Sequence, residues 1–409
     1  MYKMRLVGER LKRLAATFSA VVVSGARQVG KSTLLAHTFP EVRTVVFDPV
    51  VDVGGARADP DLFLDNHPPP VVLDEIQYAA ELVPSIKRRI DANREPGQYL
   101  ITGSQQWNVM KAIAESLAGR VVFVDLESFC LREMAERTQE ITWLERWLQD
   151  PELLSENRPV RLGLPRTVNE LIWRGSLPET DRLEEAVIPD FFAGYLRTYI
   201  ERDVRVLADV ADWQQFGRFV RLTSALTAQE VNYSQLGRDI GMTPQTAQRW
   251  LAVLRATFQW FEVPAYSGNA LKRVSRKPKG YFADTGLACH LQMLSSPAAL
   301  DGHPLAGALF ESAVAGEIRK LCARLPTPPA VYHWRSHGGA EVDLLLDRDG
   351  MLFPIEIKLS SHPRKSDTRG VSAFREAHPN RKIAPGLVIA PTAEFGRVSS
   401  RDFALPWDC

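Results

Sequence analysis

The chain has 409 residues, 45% of them apolar and 24% charged, with a formal net charge of +1. That balance excludes a disordered or fibrous polymer and gives enough length for two or three domains. A near-neutral total exerts no general pull on polyanions, so a nucleic-acid contact would need a local basic patch.

Cys130, Cys289, Cys322 and Cys409 lack the paired spacing of a disulfide framework or a zinc site. No run approaches the roughly 20 apolar residues of a membrane span, and the basic start of the chain has no apolar signal core. A reduced, cytoplasmic protein without membrane contact is expected.

Residues 8–18 read as a helix with a basic face. Ala20-Val21-Val22-Val23 then reads as a buried strand, and Ser32-Thr33-Leu34-Leu35-Ala36 opens a helix. Between them, Gly25-Ala26-Arg27-Gln28-Val29-Gly30-Lys31-Ser32 fits the phosphate-binding pattern G-x-x-x-x-G-K-[ST]. Gly25 and Gly30 permit a tight turn that points N–H groups at one polyphosphate, and the helix start adds positive potential. Lys31 would reach the outer phosphates and Ser32 would ligate magnesium, so ATP and Mg2+ are the expected cofactors, held by residues 25–33. The alternative is a glycine-rich turn with a solvated lysine.

Arg43-Thr44-Val45-Val46-Phe47-Asp48 reads as a second strand, and Val71-Val72-Leu73-Asp74 as a third after the loop at Pro68-Pro69-Pro70. Asp74 is the expected partner of the magnesium shell, and Glu75 the group that orients and deprotonates the attacking water. Leu82, Val83, Ile86 and Ile90 place a helix over 81–93. Tyr99-Leu100-Ile101-Thr102 is another strand, after which Thr102 or Ser104 could sense the terminal phosphate or position the water. A helix over 109–117 and a strand over 121–124 follow. Arg120 between them is a candidate arginine finger, acting in this subunit or in a neighbour of an oligomer, or else a surface arginine. The alternation of strands and helices implies a parallel sheet with its ligand at the strand C-terminal ends.

These motifs, with Asp59-Pro60, Ile76-Gln77 and Ser116-Leu117-Ala118-Gly119-Arg120, resemble the AAA-type ATPases of bacteria and archaea whose C-terminal part is a domain of unknown function. The likeness continues through Trp173-Arg174-Gly175-Ser176-Leu177-Pro178, Tyr199-Ile200-Glu201-Arg202-Asp203-Val204 and Tyr281-Phe282-Ala283-Asp284-Thr285-Gly286-Leu287, and so covers nearly the whole chain. Where that family usually shows a double glycine, this chain has Gly175-Ser176, and the turn there is expected to differ. The resemblance implies three parts: a P-loop NTPase (AAA+-like) domain over 1–170, a helical and winged-helix domain over 171–290, and a restriction-endonuclease-like α/β domain over 291–409.

In the middle part, apolar positions three to four apart read as helices from 184 to 226. Residues 233–240, Gly241-Met242 and a second helix capped by Thr243-Pro244 give a helix-turn-helix pattern. Gln245, Gln248 and Arg249 are its candidate groove readers. Two strands, 257–263 and 279–282, flank a loop with Lys272, Arg273, Arg276, Lys277 and Lys279, a wing that could rest on a phosphate backbone. The same module could instead dock a protein, and the basic loop could be a solvated surface.

In the final part a helix carrying Glu311 runs to Leu321, and strands are expected over 331–334, 341–346 and 353–358. Asp343 with Glu356-Ile357-Lys358 matches the D…E-x-K pattern of restriction-type nucleases, and strand alternation turns Glu356 and Lys358 to one face. Two carboxylates, with Glu311 from the helix, would bind magnesium while Lys358 activates water. A half-buried I-E-I-K strand without cleavage is the alternative. The strand at 386–390 is expected to complete the sheet.

The leading expectation is an oligomeric, Mg2+-dependent ATPase that binds DNA. The alternatives are a nucleotide-controlled switch acting on a protein partner and an ATP-gated DNA nuclease.

Overall fold

Strand β1 (Ala20–Ser24) is wholly buried and has parallel neighbours on both sides. Three successive valines suit such a strand, because β-branched side chains fill a pleat covered on both faces. The sheet order is β2 (Arg43–Val46), β3 (Val71–Asp74), β4 (Tyr99–Gly103), β1 and β5 (Val121–Asp125), all parallel. Its helices are α1 (Gly8–Ala15), α2 (Lys31–Thr38), α3 (Pro60–Asn66) and α4 (Leu82–Ala92). Because β1 lies between β4 and β5, the chain leaves β1 for the far edge and returns strand by strand. The strand C-terminal ends beside β1 therefore form a crevice. The computed structural model describes residues 2–103, 113–199, 212–268 and 276–409. Ser104, the run Ile200-Glu201-Arg202-Asp203-Val204, Lys272, Arg273 and the first four residues of the helix expected over 109–117 lie outside the described residues.

The chain is an α/β protein of several parts, with a largely helical middle and a mixed C-terminal sheet. After β5 come α5 (Leu131–Met134), α6 (Trp143–Gln149), α7 (Leu153–Glu156), α8 (Val168–Arg174), α9 (Ile188–Thr198) and α10 (Trp213–Ala225). Helix α11 (Tyr233–Ile240) ends on Gly241 at φ +76°, and α12 (Pro244–Ala256) starts from Thr243, whose hydroxyl accepts the Thr246 N–H at 3.1 Å. A small antiparallel sheet, β6 (Gln229–Glu230), β8 (Lys279–Phe282) and β7 (Trp260–Val263), closes this unit. Strand β7 starts three residues later than expected, because Thr257 still caps α12 and Phe258 takes φ +59°. Helix α13 (Thr285–Leu291) follows, N-capped by Asp284.

The C-terminal part opens with α14 (Ala306–Arg324), then β9 (Ala330–Arg335), β10 (Glu341–Arg348), β11 (Met351–Ile357) and α15 (Arg369–Ala377). It ends with β12 (Lys382–Ile383), β13 (Leu387–Ala390), β14 (Gly396–Arg397) and β15 (Phe403–Pro406). The sheet order is β14-β15-β13-β11-β10-β9, with β12 beside β11. The strand expected to complete the sheet is interior instead, since β15 runs parallel to β13 on its far side.

The parts share apolar surface. Trp147 of α6 meets Phe353 of β11 edge-on at 5.1 Å, and the Leu162 N–H donates to the Asp408 carbonyl at 2.7 Å. All four cysteines are buried and outside disulfides. Among the described residues, no helix is long and apolar enough to cross a membrane.

Candidate functional site

The 25–32 loop joins β1 to α2 at the crevice. A Cβ on Gly25 would stand 2.2 Å from the Leu126 carbonyl oxygen, so the loop passes directly under the exit of β5, and only glycine allows it. Gly30 takes φ +91° at the start of α2, and Gln28 takes φ +61°. Both bends turn successive N–H groups toward one concavity at a helix N-terminus, the arrangement that receives phosphate oxygens. The Lys31 ammonium donates to the Gly25 and Ala26 carbonyls at 3.0 and 2.9 Å, bonds that an incoming phosphate could replace.

Arg5 holds the loop from outside. Its guanidinium donates to the Val29 carbonyl at 2.7 Å and to the Glu127 carbonyl at 2.5 Å, and lies 3.1 Å from Glu133 Oε2. In the sequence Arg5 stood out only as part of a basic start without an apolar signal core. A cleft of about 460 Å³ adjoins the loop, lined by Tyr2, Gln28, Thr33, Pro178, Asp181 and Phe191 among others.

Asp74 ends β3, two strands across from β1, a spacing of about 10 Å. Thr102, fully buried at the end of the intervening β4, joins the two acidic residues: its hydroxyl donates to Asp74 Oδ1 and accepts the Glu75 N–H at 3.1 Å. Glu75 takes φ +60°, a conformation that costs a non-glycine residue energy and persists where neighbours hold it. Gln77 donates its amide to Glu75 Oε2 and so aims the carboxylate. The Ser32 hydroxyl and the Asp74 carboxylate are oxygen-only donors of the kind a hard divalent cation takes, and the two fit magnesium in type.

Arg120 stands at the opposite end of the sheet. Its carbonyl accepts the Ala20 N–H where β1 begins, and its guanidinium pairs with Asp91. The length of β1 separates it from its own P-loop, so it cannot act there within one chain.

The C-terminal residues singled out by pattern do meet. Asp343 on β10 accepts the Ile357 N–H at 2.8 Å, and the Lys358 ammonium lies 3.3 Å from Asp343 Oδ2 and 3.0 Å from Glu356 Oε2. Gly370 of α15 closes the site from above, where a Cβ would stand 1.7 Å from the Glu341 carbonyl and 2.3 Å from Glu356 Oε1.

Lys279 corrects the reading of the basic loop. It lies on β8, is buried, and puts its ammonium 2.7 Å from Glu311 Oε1, 2.7 Å from Glu341 Oε1 and 3.5 Å from Asp343 Oδ1. Its partners come from 32 to 64 residues away, beyond the reach of a local charge pattern. Among the described residues, no group of three or more His, Cys, Asp or Glu side chains is disposed to hold a metal ion. Lysine nitrogens sit among these carboxylates instead. Burial and the Asp343 charge raise Glu311 to about 7 and Glu356 to about 8, against the pull of Lys279 and Lys358 respectively. Burial opposes the charge on Asp343, but Lys279 and Lys358 outweigh it and hold that carboxyl below its ordinary value.

Helix α14 links this cluster to the nucleotide crevice. Both Glu317 carboxyl oxygens accept the Leu131 N–H, at 3.0 and 3.1 Å, and burial raises its pKa to about 7. Arg319 reaches Glu127 at 2.7 Å and Lys320 reaches the Phe129 carbonyl at 2.8 Å. The Gly175-Ser176 departure is accommodated here, since the Ser176 hydroxyl lies 2.6 Å from Ser128 Oγ and accepts from Lys320 at 3.1 Å.

Of the other expected contacts, Gln245, Gln248 and Arg249 are exposed on α12, Arg276 is half-buried and Lys277 exposed. The hairpin that bears the last two is tied to the C-terminal sheet: the Tyr266 N–H donates to the His333 carbonyl at 2.6 Å, and the His333 N–H to the Pro264 carbonyl at 3.0 Å.

Comparison with known proteins places three family matches along the chain. Residues 17–135 match the family described as an AAA domain, residues 165–298 a domain of unknown function (DUF8612), and residues 306–409 a domain of unknown function (DUF4143). Uncharacterized proteins of Mycobacterium tuberculosis and Mycobacterium bovis are 28% identical over 400 residues, covering 98% of this chain and 82% of theirs. Among solved structures, a Walker-type ATPase of Pyrococcus abyssi aligns with a TM-score of 0.42 at 15% identity, over 70% of this chain and 94% of that one. The RuvB Holliday junction branch migration motor of Thermotoga maritima aligns with a TM-score of 0.31 at 14% identity, over 67% of this chain and 95% of its own.

Proposed function

From the premise that the chain belongs to the AAA-type ATPases with a DUF4143 domain at the C-terminal end, we propose a Mg2+-dependent ATPase that binds DNA and passes the state of its nucleotide site to the middle and C-terminal parts. The observation that carries the ATPase reading is the Thr102 hydroxyl, which fixes Asp74 and Glu75 together at the end of the strand lying beside β1. Lys31 and the loop N–H groups bind the phosphates, and the neighbouring cleft receives the nucleoside between Tyr2, Pro178 and Phe191. Ser32 and Asp74 hold magnesium, which supplies charge neutralisation at the phosphoryl oxygens. Glu75, aimed by Gln77, orients the attacking water and takes its proton. In an oligomer, Arg120 would leave Asp91 to reach a neighbour's site.

Transmission runs through α14. Glu317, Arg319 and Lys320 grip the 127–131 segment, which emerges from β5 against Gly25, while Glu311 on the same helix enters the carboxylate cluster. Six residues of helix separate Glu311 from Glu317, about 9 Å of rigid rise. A shift of the β5 exit on nucleotide binding would therefore move both ends together.

DNA contact is assigned to the exposed side of α12, where the amides of Gln245 and Gln248 and the guanidinium of Arg249 suit base edges. Lys272, Arg273, Arg276 and Lys277 would add phosphate contacts whose strength falls with salt. Duplex DNA is expected to raise the ATPase rate of the full chain, and the triple change Gln245→Ala/Gln248→Ala/Arg249→Ala to weaken DNA binding by about tenfold or more. An unchanged rate with no DNA binding at low salt would contradict the assignment. That outcome would favour a nucleotide-controlled switch on a protein partner, a reading supported by the hairpin's attachment to the C-terminal sheet.

A further inference from the structure

We propose that Lys279 is a built-in cation plug, which the β7–β8 hairpin inserts among Glu311, Glu341 and Asp343 to shut the C-terminal carboxylate cluster against divalent metal. The inference rests on the nuclease-like reading of that cluster and assigns its regulation.

The placement follows from the sequence of β8. Side chains alternate along a strand, and Gly280 faces the Trp260 indole so closely that a Cβ would stand 1.9 Å from the ring. Lys279 and Tyr281 therefore both face the other way, toward the C-terminal part. There the Lys279 ammonium meets Glu311 and Glu341 at 2.7 Å, and the Tyr281 hydroxyl donates to Glu311 Oε1 at 2.9 Å. Three carboxylates within 3.5 Å of the ammonium favour its charged form. The ammonium thus remains a full positive charge at the point where Glu311 and Asp343, from a helix and a strand, converge. A second cation there would be repelled by it and would find those oxygens already taken.

The plug is carried by the β7–β8 hairpin rather than by the cluster's own sheet. The hairpin pairs with β6 of the α10–α12 unit, Tyr281 reaches Glu311 of α14, and Tyr266 just past β7 is fully buried against Tyr332 and Phe374, so the ammonium is held in place. Without the ammonium, Glu311, Asp343, Glu356 and Lys358 remain, the set that the D…E-x-K pattern requires.

The test uses the nucleotide-free full chain and Mn2+ binding followed by electron paramagnetic resonance. Wild-type protein is expected to show no Mn2+ site that depends on Asp343. Lys279→Met, which keeps the length and removes the charge, is expected to gain one site at least tenfold tighter than any in the wild type, lost again in Lys279→Met/Asp343→Asn. An Asp343-dependent site of equal affinity in the wild type would overturn the plug while leaving the nuclease-like reading intact. A folded Lys279→Met without the site would overturn both. Should Lys279→Met not fold, Glu341→Gln removes one of the two shortest contacts to the ammonium and is expected to bring the Asp343-dependent site into range. Binding unchanged from wild type in that variant would reject the plug.

Discussion

Replacing Glu75 with glutamine will lower the ATP turnover rate by about a hundredfold or more while leaving ATP affinity within about threefold. The expectation follows from the separation of tasks at the crevice. In the proposed assignment Lys31 and the loop N–H groups hold the phosphates, whereas Glu75 directly follows β3 and would reach the site by its side chain alone. A glutamine has the same size and can still pair with Gln77, so the φ +60° backbone and its bond to Thr102 need not change. What is lost is the proton acceptor, an effect confined to the chemical step. Single-turnover hydrolysis together with equilibrium nucleotide binding checks this. Full turnover in the variant would assign the base to another residue.

Gly175→Val will destabilise the middle part by about 3 kcal/mol or more. Gly175 takes φ +70° and ψ −160°, a region essentially reserved for glycine, and a Cβ there would stand 2.2 Å from Asp284 Oδ1. Asp284 cannot retreat without cost: it caps α13 through the Leu287 N–H at 2.9 Å and accepts the Ser176 N–H at 2.8 Å. The contact is reciprocal, because a Cβ on Gly286 would stand 2.6 Å from the Arg174 carbonyl carbon. Two motifs about 110 residues apart in the chain are thus one joint, made of two glycines and one aspartate. Gly163→Val is the control, since Gly163 has φ +69° with nothing within 4 Å of its Cβ position. A thermal midpoint lowered several degrees further in Gly175→Val than in Gly163→Val is expected. Equal midpoints would show that the close packing on Asp284 is not what requires glycine.

The parallel sheet was legible because its strands are short apolar runs whose ends carry the chemistry. Glycine spacing marked the turn after β1, and Asp74-Glu75 closed β3 at the distance a phosphate site needs. The β10–β11 hairpin was legible through alternation, which brings Asp343, Glu356 and Lys358 to one place. Sequence proximity misled at Lys279: it follows Arg276 and Lys277 and was read with them, although its partners are Glu311 and Glu341 in distant elements. Arg5 and Glu317 were invisible for the same reason, each acting through contacts made only once the parts pack, whereas Gln77, legible only as part of the Ile76-Gln77 motif, acts on Glu75 two residues away. Strand β15 was missed because Phe403–Pro406 is four residues long and ends in proline, tolerable there because β14 pairs only with Phe403 and Ala404 and leaves Pro406 at an edge on that side.

The central claim is that occupancy of the loop after β1 governs the C-terminal part through α14. Hydrogen exchange on the full chain, with Mg2+ and a non-hydrolysable ATP analogue, tests it most directly. The account predicts slowed exchange in the 25–34 loop, in 126–134 and in α14, all absent in Lys31→Ala. Protection limited to the loop, or the same protection in Lys31→Ala, would contradict it.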